Sequence, residues 1–244
     1  MSDDDRISTL ATAPDTRLDD LLALAATRFQ VHFEPLRLGD MAIDVLQITD
    51  LSAHIDRLMA RATGQQKLNL PFWAKIWPAS FPMSLLLTRM DPASGPRLLE
   101  IGAGVGLCGL VAARRGFAAA ISDIEPEALL FIRASILKNG LEATARAVRL
   151  DFMAGRLEER FDTVMASEAL YIPDSHEPLV DCLKTHLAPG GQLLLASDIA
   201  RPAPKFFAHA SAHFAMQRME ANYPGEDGQT KTSVIFRMRA RPNA

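Results

Sequence analysis

From "GPRLLEIGAG" onward, short apolar runs alternate along the chain with amphipathic segments. The runs include "RLLEI", "AAAIS" and "FDTVMAS", and turn residues separate them from helical patterns such as "PEALLFIRASILKNG". A short apolar run bounded by turn residues is typical of a buried strand. Strands that alternate with helices form parallel β-α-β units whose sheet is covered on both faces. The pattern therefore predicts a doubly wound α/β fold.

The end of the chain departs from this alternation. The segments "AMQRMEANY" and "TSVIFRMR" are two strand patterns with only a loop between them. Strands joined by a short loop pair in antiparallel fashion, so one of the two must run against its neighbour in the sheet. We therefore expect a mostly parallel, seven-stranded, Rossmann-like sheet that finishes with a C-terminal antiparallel hairpin.

A smaller region of mixed helix and strand precedes this sheet. Asp15 is placed to cap a helix that runs to about Phe29. The next segment, "FQVHFEPLRLGDMAIDVLQI", alternates around a Gly-Asp turn and predicts a β-hairpin at about 30–36 and 41–47. A short helix, "DLSAHIDRLMARA", follows the hairpin. Together these elements predict an N-terminal α+β cap over residues 15–70.

The pattern divides the chain into three parts. Residues 1–14 are acidic and polar, and we expect them to form a disordered tail. The cap occupies residues 15–70, and residues 71–244 form the main α/β domain. At its start lies "PFWAKIWPAS", residues 71–80, which contains both tryptophans of the protein.

Composition excludes several classes of protein. The 244 residues are 48% hydrophobic and 23% charged, with a net charge of −3, so the chain lacks the basic excess of a nucleic-acid-binding protein. We expect no signal peptide and no membrane span, because the first residues are acidic and no apolar run is long enough. The two cysteines, Cys108 and Cys182, favour reduced thiols and a cytoplasmic location.

The loop in "LLEIGAGVGLCG" fits two overlapping cofactor patterns. Gly104, Gly106 and Gly109 spell the dinucleotide pattern G-x-G-x-x-G. Glu100 with Gly102, Gly104 and Gly106 spells E-x-G-x-G-x-G, the loop of class I S-adenosylmethionine enzymes. Both patterns use glycine because the backbone must turn sharply after a strand and approach the ligand closely. The glycines alone leave both cofactors open.

Acidic residues near the ends of the strands favour the second pattern. Glu100, Asp123, Asp151 and Glu168 lie at or after the ends of four successive predicted strands. The carboxyl ends of parallel strands meet at one edge of an open sheet, where ligands bind. Carboxylates there repel a pyrophosphate and suit the sulfonium and ammonium of S-adenosylmethionine. Single acids can instead cap helices, and Asp123 would also suit the ribose of NAD.

These features resemble the class I (seven-β-strand) S-adenosylmethionine-dependent methyltransferases over about residues 70–240. The segments "PFWAKIWP", "SEALY" and "SDIARPAPKF" further resemble the protein lysine methyltransferases of this class. Among these, the chain is most similar to the group that methylates the β-subunit of electron transfer flavoprotein. It differs from that group in its long N-terminal cap and in Glu168, where that group more often has Asp.

The resemblance implies a cofactor site for S-adenosyl-L-methionine. In it, the three loop glycines would line the methionine part, Asp123 would hold the ribose, and Asp151 would accept a hydrogen bond from the adenine, with Phe152 beside it. Trp77 would close over the adenine, unless it is a core indole on the first helix of the domain. The implied cofactor-binding residues are Trp77, Glu100, Gly102, Gly104, Gly106, Asp123, Ile124, Asp151, Phe152 and Ser167.

The motif Glu168-Ala-Leu-Tyr171 supplies the candidate catalytic residues. Glu168 would attract and orient a lysine ammonium, and Tyr171 would position the amine through a hydrogen bond. The alternative is that Glu168 caps a helix and Tyr171 only packs. We expect no metal, since His209 and His213 have a suitable spacing but no nearby third ligand in the sequence.

The reaction expected from this resemblance is methylation of a lysine in a protein substrate. A small-molecule N- or O-methyltransferase on the same fold is the main alternative, since fold does not determine substrate. An NAD-dependent oxidoreductase and a protein that binds S-adenosylmethionine without catalysis are further alternatives. Neither nucleic acid nor a membrane is an expected partner.

Overall fold

Over residues 97–240, strands and helices follow one another in the order that the sequence predicts. The computed structural model describes residues 3–61, 70–201, 203–224 and 230–241. The N-terminal elements are α1 Asp3–Thr12, α2 Leu18–Ala26, β1 Val31–Leu38, β2 Met41–Ile48 and α3 Leu51–Arg61. The later ones are α4 Ser80–Thr88, β3 Arg97–Ile101, α5 Leu107–Arg115, β4 Ala118–Asp123, α6 Pro126–Lys138, β5 Ala145–Arg149, β6 Phe161–Ser167, α7 His176–His186, β7 Leu187–Asp198, α8 Pro204–His213, β8 Phe214–Pro224 and β9 Thr230–Ala240.

The central sheet has seven strands in the order β5-β4-β3-β6-β7-β9-β8. Strands β3 to β7 pair in parallel, and β9 lies antiparallel between β7 and β8. This arrangement confirms the predicted fold class with its C-terminal antiparallel hairpin. The strand order reverses between β3 and β6, and open α/β sheets bind ligands in the crevice at such a reversal.

Local residue chemistry sets the ends of the helices that flank this crevice. Helix α5 follows Gly106 and stops at Gly116, and both glycines have left-handed backbone angles. Pro126 is the first residue of α6. An amide at this position makes no hydrogen bond within the helix, so proline, which lacks the amide hydrogen, is tolerated there. None of the helices in the described parts of the chain is long and apolar enough to cross a membrane.

The N-terminal cap is bound to α6 by hydrogen bonds and apolar contacts. The Leu46 amide donates to Ser135 Oγ at 2.9 Å, and the Asn139 side chain both accepts from the Asp44 amide and donates to its carbonyl, at 3.0 and 2.7 Å. The buried side chains of the cap belong to the same hydrophobic cluster as those of α6. The cap therefore covers a helix of the main domain, while the boundary at residue 70 stays a prediction.

The expectation of a disordered tail over residues 1–14 is wrong for the part that the structure describes. Residues Asp3–Thr12 form α1, and Ile7 and Ala11 are buried on one side of it. The spacing of four residues places both on the face that packs against α6. The acidic residues of the first turn favoured the prediction of a polar tail, although acidic residues stabilise the N-terminus of a helix. The cap of α2 also differs from the prediction, because Arg17, not Asp15, precedes its first turn.

If α1 is part of the fold, truncating its buried side chain must destabilise the protein. We expect Ile7→Ala to lower the free energy of unfolding by about 2–3 kcal/mol, since it leaves a cavity against α6. Arg6→Ala, on the exposed side of the same helix, is the matched control and should change it little. Urea denaturation measures both; identical midpoints for the Ile7 variant and the native chain would mean that α1 is not docked.

Candidate functional site

A cavity of about 290 Å³ opens at the carboxyl edge of the sheet, beside the crevice between β3 and β6. Its volume is at the lower end for small-molecule sites. Ten of the predicted site residues line it: Trp77, Glu100, Gly102, Gly104, Asp123, Ile124, Phe152, Ser167, Glu168 and Tyr171. The predicted residues Gly106 and Asp151 are not in its wall. Trp73 lines the cavity too, and so do residues that were not predicted as site residues, including Ser80, Glu125, Leu150 and Arg201.

The glycine loop after β3 forms one wall and depends on glycine for two reasons. Gly102, Gly104 and Gly106 have φ values of 62°, 57° and 81°, which L-residues with side chains rarely adopt. A Cβ on Gly104 would lie 2.7 Å from the carbonyl oxygen of Trp73. Gly106 lies behind the wall as the residue before α5, where a Cβ would meet Ile132 at 2.9 Å.

Both tryptophans of "PFWAKIWPAS" line the cavity, but they are held differently. Trp73 packs edge-on against Phe131, with ring centroids 4.9 Å apart, so it joins the loop to the hydrophobic core. The Trp77 indole N–H donates to the carbonyl of Phe72 at 3.1 Å, and Lys75 lies 5.3 Å from its ring centroid. Trp77 precedes α4, so it is not a core indole on that helix; the structure places it at the cavity, as the resemblance implies.

Asp123, at the end of β4, holds the loop in place. Its two carboxylate oxygens accept hydrogen bonds from the Gly104 amide at 2.8 Å and the Glu125 amide at 3.0 Å. Burial raises the pKa of Asp123, and these amides act in the opposite direction. A carboxylate has about four acceptor positions, so Asp123 keeps capacity for a further donor that enters the cavity.

Glu100 is buried under the loop instead of standing at an exposed rim. Its Oε2 accepts a hydrogen bond from the Gly109 amide at 2.7 Å, and its exposed fraction is 2%. Burial raises the pKa of Glu100 to about 8. Of the four carboxylates predicted at this edge of the sheet, Glu100, Asp123 and Glu168 are buried. Such groups carry full charge only when a cation or donors compensate them.

The wall beyond β5 is apolar. Leu150 and Phe152 line the cavity, and Ile124 faces them from the end of β4. Asp151 lies between two lining residues, but its carboxylate turns back to accept from the Met153 amide at 2.9 Å. The structure therefore brings the predicted aromatic and apolar neighbours into the cavity, while the assignment of Asp151 to an adenine stays a prediction.

Glu168 follows β6 and has an unusual backbone. Its φ is 57°, the only positive value among the non-glycine residues that the structure describes. A residue with a side chain pays about 1–3 kcal/mol for such a conformation, and strain of this kind is concentrated at functional sites. No sequence pattern signalled it. The conformation directs a buried carboxylate, 6% exposed, into the cavity.

The Glu168 carboxylate is incompletely paired. Its Oε2 has no hydrogen-bond partner within the described residues, and the nearest cation, Arg201 Nη1, lies 3.7 Å away. Burial raises the pKa of Glu168, whereas Arg201 and the amides of Asp198 and Ala79 act against this. The site thus holds a buried acceptor that has no hydrogen-bond donor among the described residues.

Tyr171 and Ser167 complete the part of the cavity around Glu168. Tyr171 is 58% exposed at the mouth. Partial burial, Asp123 and Glu125 raise the pKa of its phenol, so it stays protonated at neutral pH and acts as a hydrogen-bonding group, not as a base. The hydroxyls of Ser167 and Ser80 lie 3.2 Å apart, and this contact joins α4 to the end of β6.

Two other residues that the sequence singled out are not in the cavity wall. Cys108 is buried, with its Sγ 3.6 Å from the Ser84 hydroxyl and 3.5 Å from the Ser80 carbonyl oxygen, and burial raises the pKa of its thiol. His209 faces Asp181 at 3.7 Å and the ring of His213. In the parts of the chain that the structure describes, no group of three or more His, Cys, Asp or Glu side chains is arranged to hold a metal.

The close approach of Gly104 to Trp73 gives a direct test of the cavity wall. We expect Gly104→Ala to weaken binding of S-adenosylmethionine by roughly tenfold or more, because the new methyl displaces the loop. Gly140→Ala is the matched control, since Gly140 has a similar φ of 64° but open space at its Cβ. Calorimetric titration compares them; equal affinities would show that the loop does not form the ligand site.

The buried Glu100 predicts a specific pH dependence of stability. Because folding raises its pKa from 4.5 to about 8, the neutral form stabilises the fold; this contribution is complete below pH 4.5 and is lost as pH rises through about 8. From about pH 6 to about pH 9, the free energy of unfolding should fall by roughly 2 kcal/mol more in the native chain than in Glu100→Gln. Urea denaturation across this range measures it, and parallel curves for the two proteins would refute the assignment.

Solved structures with the same fold include two N-methyltransferases. The glycopeptide N-methyltransferase MtfA, solved with S-adenosyl-L-methionine, superposes with a TM-score of 0.52 at 18% identity, over 72% of this chain and all of its own. NodS from Bradyrhizobium japonicum, solved with S-adenosyl-L-homocysteine, gives 0.54 at 16% identity, over 79% of this chain and all of its own. At these identities the likeness concerns the fold alone.

Curated relatives match only part of the chain. The ubiquinone biosynthesis O-methyltransferase of Stutzerimonas stutzeri is 30% identical over 125 residues, which is 51% of this chain and 53% of the relative. The protein N-lysine methyltransferase METTL21A of Danio rerio is 29% identical over 132 residues, 51% of this chain and 59% of the relative. The chain thus spans little more than half the length of the curated relatives it matches.

The sequence model of one protein family covers a larger share. The family described as lysine methyltransferase matches residues 64–213, more than half of the 244 residues. The matched range includes residues 71–80 with both tryptophans (the Trp segment), the glycine loop and the Glu168–Tyr171 motif. This match agrees with the fold, the cavity and the resemblance of the motifs, and the chain therefore belongs to the lysine methyltransferase family.

Proposed function

We propose that this protein is an S-adenosylmethionine-dependent methyltransferase that transfers a methyl group to the side-chain amine of a lysine in a protein substrate. One observation carries the choice of substrate group. Glu168 lines the cavity and has a buried carboxylate oxygen without a hydrogen-bond partner among the described residues. A buried acceptor of this kind suits a cationic donor, and an ammonium is the cation that a lysine supplies.

The residues of the cavity fit S-adenosylmethionine. Gly102 and Gly104 line the cavity without side chains, and Asp123 has acceptor capacity left for a ribose. Phe152 and Ile124 supply apolar surface for an adenine. A sulfonium or an ammonium near Glu100 would favour its charged form. When bound, the cofactor supplies an electrophilic methyl group, and the family assignment favours it over NAD.

The main task of the protein is to prepare the amine. A lysine has a pKa near about 10.4, so at neutral pH nearly all of it is protonated and not nucleophilic. Glu168 attracts the ammonium into a partly desolvated cavity, and desolvation lowers the pKa of the amine. The proton is then lost to solvent, since the Glu168 carboxylate holds the amine in position without being a strong base. Tyr171, protonated at the mouth, accepts a hydrogen bond from the amine.

The surface around the cavity supports a protein substrate. Phe72, Ile124 and Tyr171 line the mouth and yet are 53%, 44% and 58% exposed. Ile172 and Ile199 lie next in the chain to Tyr171 and to the end of β7, at 42% and 46% exposure. Large apolar side chains grouped around an opening are typical of a surface that another macromolecule covers.

A small-molecule O-methyltransferase is the second candidate, because several curated relatives are ubiquinone biosynthesis O-methyltransferases. The chemistry of the cavity opposes it. A phenol reacts as its phenolate, and a buried carboxylate beside it would raise the energy of that negative charge. Glu168 therefore favours a nucleophile that arrives as a cation.

The role of Glu168 is tested with a labelled methyl donor and a cell lysate. We expect label in protein, recovered as methyl-lysine after hydrolysis. Glu168→Gln should lower the rate by about 10²–10³-fold, the range for loss of one preorganised electrostatic group, and Glu168→Ala should nearly abolish turnover. Affinity for S-adenosylmethionine, by calorimetry, should change by no more than a few-fold.

Glu177→Gln is the matched control, since Glu177 is an exposed acid at the start of α7. It should keep the native rate. Label found mainly in the small-molecule fraction would support the O-methyltransferase instead. Native rates in both Glu168 variants would end the proposal that this carboxylate receives the substrate amine.

A further inference from the structure

A second cleft of about 310 Å³ lies between α8 and the β8–β9 hairpin, next to the cofactor cavity. Its wall is mostly apolar and includes Leu170, Ala203, Phe207, Val234 and Phe236, with Asp198 and Arg218 as charged residues. Arg201 lines this cleft and the cofactor cavity as well. Its side chain thus stands at the partition between them.

Arg201 is held loosely on the side of the cavity. Its Nη1 lies 3.7 Å from Glu168 Oε2, which is too long for a hydrogen bond. The Arg201 side chain is 31% exposed, whereas that of Glu168 is 5% exposed and fixed by a strained backbone. The carboxylate is therefore the fixed member of the pair, and the guanidinium is the member with room to move.

The second cleft offers the guanidinium another position. The Arg201 amide donates to the Asp198 carbonyl at 3.0 Å, so a tight turn joins the two residues. Asp198 also lines the second cleft, and its Oδ1 accepts a hydrogen bond from the Ala200 amide at 2.8 Å. Rotation of the Arg201 side chain would move its guanidinium away from Glu168 and toward Asp198.

We propose that Arg201 occupies the place of the substrate cation beside Glu168 and is displaced toward the second cleft when the lysine ammonium enters. This inference rests on the proposed methylation of lysine. Two cations beside one carboxylate repel each other, so the guanidinium and the ammonium compete for Glu168. Arg201 is thus a specificity-determining residue: a cationic side chain displaces it, and a neutral or anionic nucleophile does not.

The competition can be measured without knowing the protein substrate. The probe is n-butylammonium, which has the shape and charge of the end of a lysine side chain. We measure its affinity for the full chain by calorimetry at mildly alkaline pH. This pH keeps Glu168 charged, although burial and the nearby charge of Asp198 raise the pKa of its carboxyl group. Arg201→Gln should bind the probe roughly three- to fivefold more tightly than the native chain, the scale of a partly exposed ion pair.

Three further variants make the result specific. Arg201→Met, a second neutral variant, should show the same gain, and Arg201→Lys, which keeps the competing cation, should bind like the native chain. Glu168→Gln should lose binding of the probe. Thermal melting of each variant establishes that it folds.

Unchanged or weaker binding in both neutral variants would overturn the inference, because that is the result expected if Arg201 only holds Glu168 in place. An absence of binding in every protein would overturn it too. The failure of the proposed function is a separate observation: it would appear as missing methyl-lysine in the lysate, whereas the butylammonium affinities report only on Arg201 and Glu168.

Discussion

The site depends on the contact between the glycine loop and the backbone on either side of it. The Gly104 amide is bound by Asp123 on one side, and the Trp73 carbonyl packs against its Cα on the other. Trp73 in turn packs on Phe131 of α6. The loop is thus clamped between a strand end and the Trp segment, and the shape of the cavity follows from this clamp. This contact explains the position of Trp73 just before the loop.

Much of the fold followed from the sequence, because strands and helices of a doubly wound sheet carry strong periodic signals. The final hairpin was predicted because only a loop separates its two strand patterns. The helix Asp3–Thr12 was missed, since only Ile7 and Ala11 mark its buried face and the contact with α6 is made far along the chain. Short amphipathic helices of this kind depend on tertiary packing more than on local propensity.

The candidate site was predictable where backbone geometry demands particular residues. Glycines in the loop and acids at strand ends have local reasons to be there, and most of them line the cavity. Properties that arise from three-dimensional surroundings were not predictable. The burial of Glu100, the left-handed backbone of Glu168 and the position of Arg201 between two cavities each depend on residues distant in sequence.

The attachment of the cap to α6 has a consequence for how the chain can be divided. Ser135 and Asn139 replace, for the β2 backbone, the partners that a further strand would have provided. Removing the cap would therefore leave the outer side of α6, together with its apolar residues, open to water. Helix α6 also supports the Trp73 side chain, because Phe131 of this helix packs against its ring. A fragment that begins at residue 71 would therefore expose to water the apolar side of α6 that the cap covers.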